Sequence, residues 1–518
     1  MNLATDKWIP VVWCDGRRDP VSLSDVFQHG SEIHDLSVRP HERIALMRLL
    51  ICVAQAALDG PKDRADWRTC RERLPQAVLD YFKKWHRSFE LFGDGPRFLQ
   101  AKGTGNPKPA QVVKLDFVDE DMTTLFDQDV LPCQQKTAKW IALHLLTYQS
   151  FAAGGKVGGS AIATKGKKKG KLAPQEGKNA PCRDGSAFHT FLRKECLLPT
   201  VCANLATKEQ VARTTLVWGK PTWEYQSEEI APLRMDNDLP RSYLGRLAPI
   251  SRAVWLNDNH ASSSNANGID YCNFIDDRVR DTTTAIRVVR KVEHALVGAA
   301  AGDSVKHPWR ELHALVLKGA DSSGAGGPLV LENVNEETPF DLWVGAIVTS
   351  KAKIEDLVES VFTQLPATLL DPTVQQAYEN GVRLANGMES RLHRAIATYR
   401  LATETSEPDA GRIRARYAKL KRSERERLGS VAEKAQSVFW TLAERRLSLL
   451  LRFATDDMPL KDGKAQPYAT DWGKALWISA RSAYDAACAK ETPRQLRGYA
   501  IGLNELLGAP EQNEGAIS

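Results

Sequence analysis

The segment "PATLLDPTVQQAYENGVRLAN" (Pro366–Asn386) marks the point at which the pattern of the sequence changes. Beyond it, apolar residues recur with helical spacing, which predicts helices over Pro372–Thr403, Pro408–Leu451, Asp471–Ala489 and Thr492–Leu507. Before it, short strand-like and helix-like patterns alternate. We therefore predict an α+β protein, with a large mixed N-terminal domain over residues 1–365 and a C-terminal antiparallel helix bundle over residues 366–518.

Within the N-terminal domain, the strongest helical pattern covers Arg39–Leu58, whose apolar residues form a continuous face. A second helical pattern covers Asp66–Phe92, and we expect Pro75 to interrupt it. A third predicted helix begins near Gln135 and ends at Phe151, where a glycine-rich segment follows. The N-terminal domain should therefore contain several helices among short strands.

The composition is that of an ordinary globular protein, with 42% apolar and 26% charged residues in a chain of 518. The net charge of +6 is only mildly basic, so any nucleic-acid site must come from local clusters of charge. No apolar run reaches the roughly 20 residues that span a bilayer, and the first residues lack a signal-peptide pattern. We expect a cytoplasmic protein with no membrane partner.

Motifs for catalysis and for metal binding are missing from the sequence. It contains no GxxxxGK[ST], HExxH or GxSxG pattern, and its eleven histidines are scattered. The nine cysteines are odd in number, widely spaced and form no CxxC pair, which favours free thiols over disulfides or a zinc site. We therefore expect no catalytic residues, no metal and no cofactor; an unrecognised nuclease or hydrolase is the alternative.

The glycine-rich segment "AAGGKVGGSAIATKGKKKGK" (Ala152–Lys171) is the first candidate for a nucleic-acid site. No apolar periodicity survives from Gly155 to Ala180, which predicts an exposed, mobile loop. Glycines allow backbone N–H groups to approach a phosphate or a groove closely, and lysines supply charge for phosphate contacts. The candidate residues are Gly154, Gly155, Lys156, Gly158, Gly159, Lys165, Lys167, Lys168 and Lys169. A solvated loop without a ligand is the alternative.

A second basic cluster lies in the predicted bundle, in the segment "RIRARYAKLKRSERER" (Arg412–Arg427). On a helix, Arg412, Arg416 and Lys419 share one face. The face would suit phosphate contacts, and the alternative is an ordinary solvated helix face.

The order of motifs along the chain resembles that of the CasA family, the large subunit of the type I-E CRISPR Cascade complex. The motifs that carry the resemblance are "MNLATDKWIPV" (Met1–Val11), "GPRFLQAKG" (Gly95–Gly103), "TTLFDQD" (Thr123–Asp129), "LLTYQSFAAGGKVGG" (Leu145–Gly159), "PTWE" (Pro221–Glu224), "YLGRLAPISRAVWL" (Tyr243–Leu256) and "FDLWVGAIVTSKAKI" (Phe340–Ile354). The resemblance implies a non-catalytic subunit of an RNA-guided antiviral surveillance complex. Such a subunit recognises a protospacer-adjacent motif in duplex DNA, helps to open the duplex for guide-RNA pairing, and docks a helicase–nuclease.

The partners implied by this resemblance are the other Cascade subunits, crRNA, double-stranded target DNA and the helicase–nuclease effector. The family's first loop falls on Phe126, Asp127 and Gln128, which are expected to contact DNA or guide RNA. Its glycine loop falls on Gly154–Gly159. Its wedge falls on Ser350, Lys351 and Ala352, where members often have Asn-Gln-Ala and this chain departs from the family.

We expect the wedge segment Thr349–Lys353 to form an exposed turn between a strand and a helix, close in space to the glycine loop. The alternative function is a generic nucleic-acid-binding scaffold subunit that recognises no motif.

Overall fold

The computed structural model divides into two compact units, Met1–Leu370 and Asp371–Ser518. The division predicted from the sequence follows residue 365, and the structural division follows Leu370. The structure describes residues 1–101, 108–116, 136–161, 174–177, 179–214, 216–225, 242–257, 260–264, 282–290, 293–301, 304–318, 326–335, 337–350, 353–405, 410–461 and 463–508.

The first unit combines helices with small sheets. Its helices are α1 (Leu23–His29), α2 (Pro40–Leu58), α3 (Arg64–Trp85), α4 (Ala138–Phe151), α5 (Leu197–Ala203), α6 (Lys208–Ala212), α7 (Tyr243–Leu247) and α8 (Leu312–Leu315). Helix α2 is the centre of the core and is buried on nearly all sides from His41 to Gln55. The predicted helices at Arg39–Leu58 and Gln135–Phe151 are confirmed.

The expected interruption at Pro75 is wrong, because α3 runs through it without a break. Proline removes one helical hydrogen bond. The helix nevertheless continues, since Cys70, Leu74, Val78 and Phe82 form a buried stripe at four-residue spacing. This stripe joins the main core, where α3 packs against α2.

The strands of the first unit pair only in antiparallel fashion wherever the structure describes them. They are β1 (Ile9–Trp13), β2 (Pro20–Val21), β3 (Ile33–Leu36), β4 (Lys108–Gln111), β5 (Gly155–Ala161), β6 (Pro174–Gly177), β7 (His189–Arg193), β8 (Ala253–Asn257), β9 (His260–Ser264), β10 (Ile286–Arg290), β11 (Glu293–Leu296), β12 (Ala300–Ala301), β13 (Ser304–Val305), β14 (Phe340–Ser350) and β15 (Lys353–Leu365). The three-stranded sheets have the orders β2-β1-β3, β4-β9-β8 and β15-β14-β7, and β5-β6, β10-β11 and β12-β13 are two-stranded.

The prediction of a helix after Thr349–Lys353 is wrong, because this segment connects two long paired strands, with Ser350 opposite Lys353. The buried residues of β15 include Ile354, Val358 and Phe362. Their four-residue spacing fits a helical face, but it is also an even number and so fits one face of a strand. The spacing alone therefore did not discriminate between the two structures.

The second unit is helical, with α9 (Pro372–Thr405), α10 (Ala410–Lys419), α11 (Arg422–Glu444), α12 (Leu447–Thr455), α13 (Asp471–Ala487) and α14 (Pro493–Leu507), and a short hairpin of β16 (Leu460–Lys461) and β17 (Lys464–Ala465). Helix α9 packs against each of the other five. The α+β class is confirmed, as are the predicted helices that became α9, α13 and α14.

The predicted helix over Pro408–Leu451 is wrong as a single element, because it consists of α10, α11 and α12. Lys421 has an extended backbone and begins α11, and Glu424 accepts a hydrogen bond from the Lys421 backbone N–H at 2.9 Å. The usual Ser, Thr, Asp or Asn at the N-cap is missing here, so the local sequence carries no clear start signal. Within the described parts of the chain, no helix is long and apolar enough to cross a membrane.

Candidate nucleic-acid interface

The glycine-rich segment begins as a β-hairpin, formed by β5 and β6 directly after α4. Gly155 pairs with Gly177 and Lys156 with Glu176. The predicted irregular loop is therefore wrong at these paired positions, although the pairing shifts register between Lys156 and Ala161. The backbone groups of the paired residues find partners in a ladder even though the segment has no apolar periodicity. Strand β5 also contacts β9, the central strand of the β4-β9-β8 sheet.

Several of the predicted DNA-binding residues can be placed on this hairpin. Gly155, Lys156, Gly158 and Gly159 belong to β5, and Gly154 directly precedes it. The remaining lysines of the candidate set, Lys165, Lys167, Lys168 and Lys169, lie outside the described residues.

Hydrogen bonds to main-chain atoms hold the base of the hairpin where it leaves α4. The backbone N–H of Gly154 donates to Oδ1 of Asn179 at 2.8 Å, and that of Ala180 donates to the carbonyl of Ala152 at 2.8 Å. Nη2 of Arg252 donates to the carbonyl of Ala153 at 2.5 Å. The two chain ends of the hairpin are thus joined to each other and to the segment before β8.

The buried side chain of Gln149, in the last turn of α4, organises the same region. Its Nε2 donates to the carbonyls of Leu99 and Arg252 at 2.9 and 2.8 Å. Its Oε1 accepts from the backbone N–H groups of Ser251 and Arg252, both at 2.9 Å. One amide therefore connects three of the motifs on which the family resemblance rests.

The motif "PTWE" packs in the core against "GPRFLQAKG". Trp223 of "PTWE" is fully buried, and its ring lies 5.9 Å from that of Phe98, which belongs to "GPRFLQAKG". Nε1 of Trp223 donates to the hydroxyl of Tyr81 at 2.7 Å, and this hydroxyl donates to Glu224 at 2.7 Å. We infer that these motifs shape the core beneath the site.

The wedge segment lies at the end of the β14–β15 hairpin. Ser350 is exposed as the last residue of β14, whereas Lys351 and Ala352 lie outside the described residues. The backbone N–H of Thr349 donates to Oγ of Ser186 at 3.0 Å. Ser186 ends the short 3-10 helix Pro181–Ser186, which follows β6. The closeness of Lys351 to the glycine segment stays a prediction.

Phe126, Asp127 and Gln128 lie outside the described residues, but the chain on both sides of them enters one buried charged cluster. Asp116 Oδ1 and Oδ2 accept from Nη2 of Arg39 at 3.1 and 3.0 Å. Asp116 Oδ2 lies 2.9 Å from Nε2 of His144, which belongs to α4. This cluster was missed from the sequence, because its members are far apart in the chain and form no motif.

The cluster favours the ionised form of Asp116. Burial raises the pKa of this carboxyl, but hydrogen bonds and charge from His144 and Arg39 outweigh burial and lower the pKa below its ordinary value. In the neighbouring His41, burial and the charge of Arg39 lower the pKa to about 3, so this imidazole is neutral at physiological pH.

The second basic cluster is on α10 in the helical unit. Arg412, Arg416 and Lys419 are exposed, while Ile413 between them is buried. Their predicted common exposed face therefore agrees with the burial of the helix.

The described cysteines are free: Cys14 is exposed, Cys196 is partly buried, and Cys52, Cys70, Cys182, Cys202 and Cys488 are buried. Among the described residues, no cluster of three or more His, Cys, Asp or Glu could hold a metal ion.

This combination of a mixed unit with a helical unit is a fold found in solved CRISPR-associated proteins. Thermus thermophilus CasA (Cse1) matches with a TM-score of 0.69 and 20% identity, over 98% of this chain and 99% of that one. Cse1 from Acidimicrobium ferrooxidans matches with a TM-score of 0.68 and 21% identity, over 98% and 97%. Thermobifida fusca Cse1 matches with 0.68 and 17% identity, over 98% and 96%.

The sequence comparison defines the family. A profile of the family "CRISPR-associated protein Cse1" matches residues 2–483, so the chain belongs to the Cse1 family. This finding confirms the resemblance to CasA, the alternative name in the Thermus protein's description. A further structural match, with a TM-score of 0.69 and 16% identity over 98% of this chain and 99% of that one, is a chain of a "CRISPR RNA-guided surveillance complex". No curated protein sequence matches the chain.

Proposed function

We propose that this protein is the large subunit of an RNA-guided Cascade surveillance complex, in which it recognises a protospacer-adjacent motif in duplex DNA. Membership of the Cse1 family supports the subunit role, as does the structural match to a chain of a surveillance complex. The observation that carries the motif-reading role is the anchored glycine hairpin, whose base is held by Asn179 and Arg252.

The hairpin is suited to approach a groove of DNA. Gly155, Gly158 and Gly159 carry no side chain, so the backbone of β5 can come close to base edges or phosphates. The minor groove is narrow, and its pattern of acceptors is degenerate between base pairs. A reader of this kind would tolerate several related motifs. The lysines that follow β5 would hold flanking phosphates without reading sequence.

Duplex opening is assigned to the tip of the β14–β15 hairpin, at Ser350, Lys351 and Ala352. The pairing of Ser350 with Lys353 leaves two residues to connect these long strands, so the wedge residues fall at a short connection. A lysine at this tip can hold a displaced strand through its phosphate, although it cannot stack as a planar amide does.

The contacts proposed for Phe126, Asp127 and Gln128 with DNA or guide RNA follow the family. The contact proposed for the basic face of α10 with nucleic acid rests on its charge. The protein would dock the helicase–nuclease and perform no catalysis itself, without metal or cofactor.

The experiment replaces Gly155 and Gly158 by Asp in the assembled complex with guide RNA. Bulk and negative charge at the groove should abolish motif-dependent binding to target duplexes. Gly95→Asp is the matched control, because Gly95 is exposed and a Cβ there meets nothing within 4 Å. Affinities are measured at physiological salt on duplexes with the motif intact or scrambled. Equal binding of both duplexes by the wild type would instead support the generic scaffold.

A further inference from the structure

Ser186 has an unusual backbone for its residue type. Gly185 and Ser186 both adopt positive φ, at 57° and 51°. Glycine adopts this region freely, whereas a serine there is strained by its Cβ. Ser186 is nevertheless buried, with 3% of its surface exposed. Such strain persists where the surrounding structure compensates for its cost, and the contacts of the Ser186 side chain are the compensation available here.

The hydroxyl of Ser186 binds the end of β14. Its Oγ accepts from the backbone N–H of Thr349 at 3.0 Å and lies 3.3 Å from Oγ1 of the same threonine. The pairing of β14 with β15 shifts register between Val348 and Thr349. The extra residue of this irregularity, Glu355, belongs to β15, and Thr349 stays paired with Ile354. On its other edge β14 pairs with β7 as far as Gly345, so the hydroxyl of Ser186 supplies the partner for the Thr349 N–H beyond the end of that ladder.

The other end of the 3-10 helix is tied to the glycine hairpin. The backbone N–H of Arg183 donates to the carbonyl of Ala180, at 3.0 Å, and Ala180 in turn donates to Ala152 at 2.8 Å. The carbonyl of Ser186 also accepts from the backbone N–H of Ala299 at 3.0 Å. A short chain of buried hydrogen bonds thus leads from the base of the glycine hairpin to Thr349.

We propose that Ser186 is a positioning residue that fixes the tip of the β14–β15 hairpin relative to the glycine hairpin and so couples motif recognition to duplex opening. This inference rests on the proposed function of the two hairpins. Without the hydroxyl, the glycine hairpin keeps its own anchors at Asn179 and Arg252, while the Thr349 N–H is deprived of its acceptor. Recognition should therefore survive and opening should slow.

The test compares Ser186→Gly with the wild type in the assembled complex. Glycine removes the hydroxyl and also relieves the backbone strain, so the variant should fold. Binding alone is measured on a target duplex with an interstrand crosslink that prevents opening. Opening is measured on the uncrosslinked duplex from the permanganate reactivity of thymines beside the motif over time. The control is Ser150→Ala, which removes a buried hydroxyl bonded within α4 to the Leu146 carbonyl at 2.9 Å.

We expect Ser186→Gly to slow opening about tenfold, the factor that loss of one hydrogen bond brings, with binding changed less than about twofold. Amide exchange at Thr349 in the isolated chain should accelerate in Ser186→Gly and not in Ser150→Ala. Equal losses of binding and opening, or no loss of either, would overturn the coupling. If the wild-type complex binds all duplexes alike, both the proposed function and the coupling are overturned. If the wild type binds in a motif-dependent manner and Ser186→Gly opens the duplex at the normal rate, the coupling alone is overturned.

Discussion

Replacing Gln149 by Leu should destabilise the first unit strongly while leaving the volume of the core nearly unchanged. The amide of Gln149 is fully buried and hydrogen-bonds two backbone carbonyls and two backbone N–H groups. Leucine has a similar size but no polar atom, so it offers none of these groups a hydrogen bond. The change therefore isolates the hydrogen bonds from the packing.

The magnitude follows from the number of groups involved. A buried backbone group left without a partner costs about 1–3 kcal/mol. At the low end, the four groups bound by Gln149 give a loss of about 4 kcal/mol in the free energy of unfolding. A typical domain has a total of about 5–15 kcal/mol, so the variant should lose a large share of the stability of the first unit.

The measurement must separate the two units, since they need not unfold together. Amide hydrogen exchange resolved by peptide reports on α2 for the first unit and on α9 for the second. We expect α2 to lose protection in Gln149→Leu, while α9 remains as in the wild type. Ser150→Ala, which removes one hydrogen bond within its own helix, should cost only about 1 kcal/mol. A loss below about 1 kcal/mol for Gln149→Leu would refute the reasoning.

Three further changes test other parts of the molecule. Replacing Lys165, Lys167, Lys168 and Lys169 by alanine should weaken the binding of all duplexes alike. The slope of log affinity against log salt concentration should become shallower by roughly 0.9 for each phosphate that is no longer neutralised. Weaker binding of duplexes with one motif alone would contradict this prediction. Asp116→Asn should lower the free energy of unfolding at neutral pH. The pKa of Asp116 in the folded state lies below its ordinary value, so the wild type loses this stabilisation as the pH falls below about 4. The difference in free energy of unfolding between wild type and Asp116→Asn, measured by denaturation, should therefore shrink over this range. A difference that stays constant with pH would argue against the ion pair. Gly502→Ala should lower the free energy of unfolding by about 1–3 kcal/mol, because the new Cβ would lie 2.6 Å from the Ala395 carbonyl oxygen. The control Gly387→Ala brings its Cβ within 3.9 Å of one atom and should be neutral or stabilising. Equal unfolding midpoints for the two variants would contradict the close packing of α14 on α9.

The helices with clear local signals were predictable from the sequence. Pro493 and the preceding Thr492 begin α14, and Thr492 accepts from Gln495 as its cap. Helix α2 has Arg39 rather than a threonine at its N-cap, and its start signal is Pro40 in the first turn. In these cases the local residues and the burial pattern favour the same structure, so the prediction needed no information from distant parts of the chain.

The parts that could not be predicted depend on contacts between distant residues. The four-residue spacing from Ile354 to Phe362 fits a helix and a strand equally, and pairing with β14 decided between them. Gly155 of β5 has low strand propensity, yet pairing with Gly177 of β6 places it in a ladder. The buried cluster of Arg39, Asp116 and His144 is assembled from residues up to 105 positions apart, so no local pattern reveals it.

The side chains of Gln149, Asn179 and Arg252 hold the region around the base of the glycine hairpin through hydrogen bonds to main-chain atoms. Among the described residues, Asn179 accepts from a backbone N–H, Arg252 donates to a backbone carbonyl, and Gln149 bonds to backbone groups and to the Ser251 hydroxyl. These hydrogen bonds depend little on the side chains of the hairpin that they hold. Residues 155–177 should therefore be exchangeable as a cassette for the corresponding segment of another Cse1 protein. Transplantation of that segment should bring the donor's motif preference into this chain, while Gln149, Asn179 and Arg252 keep their hydrogen bonds to the main chain.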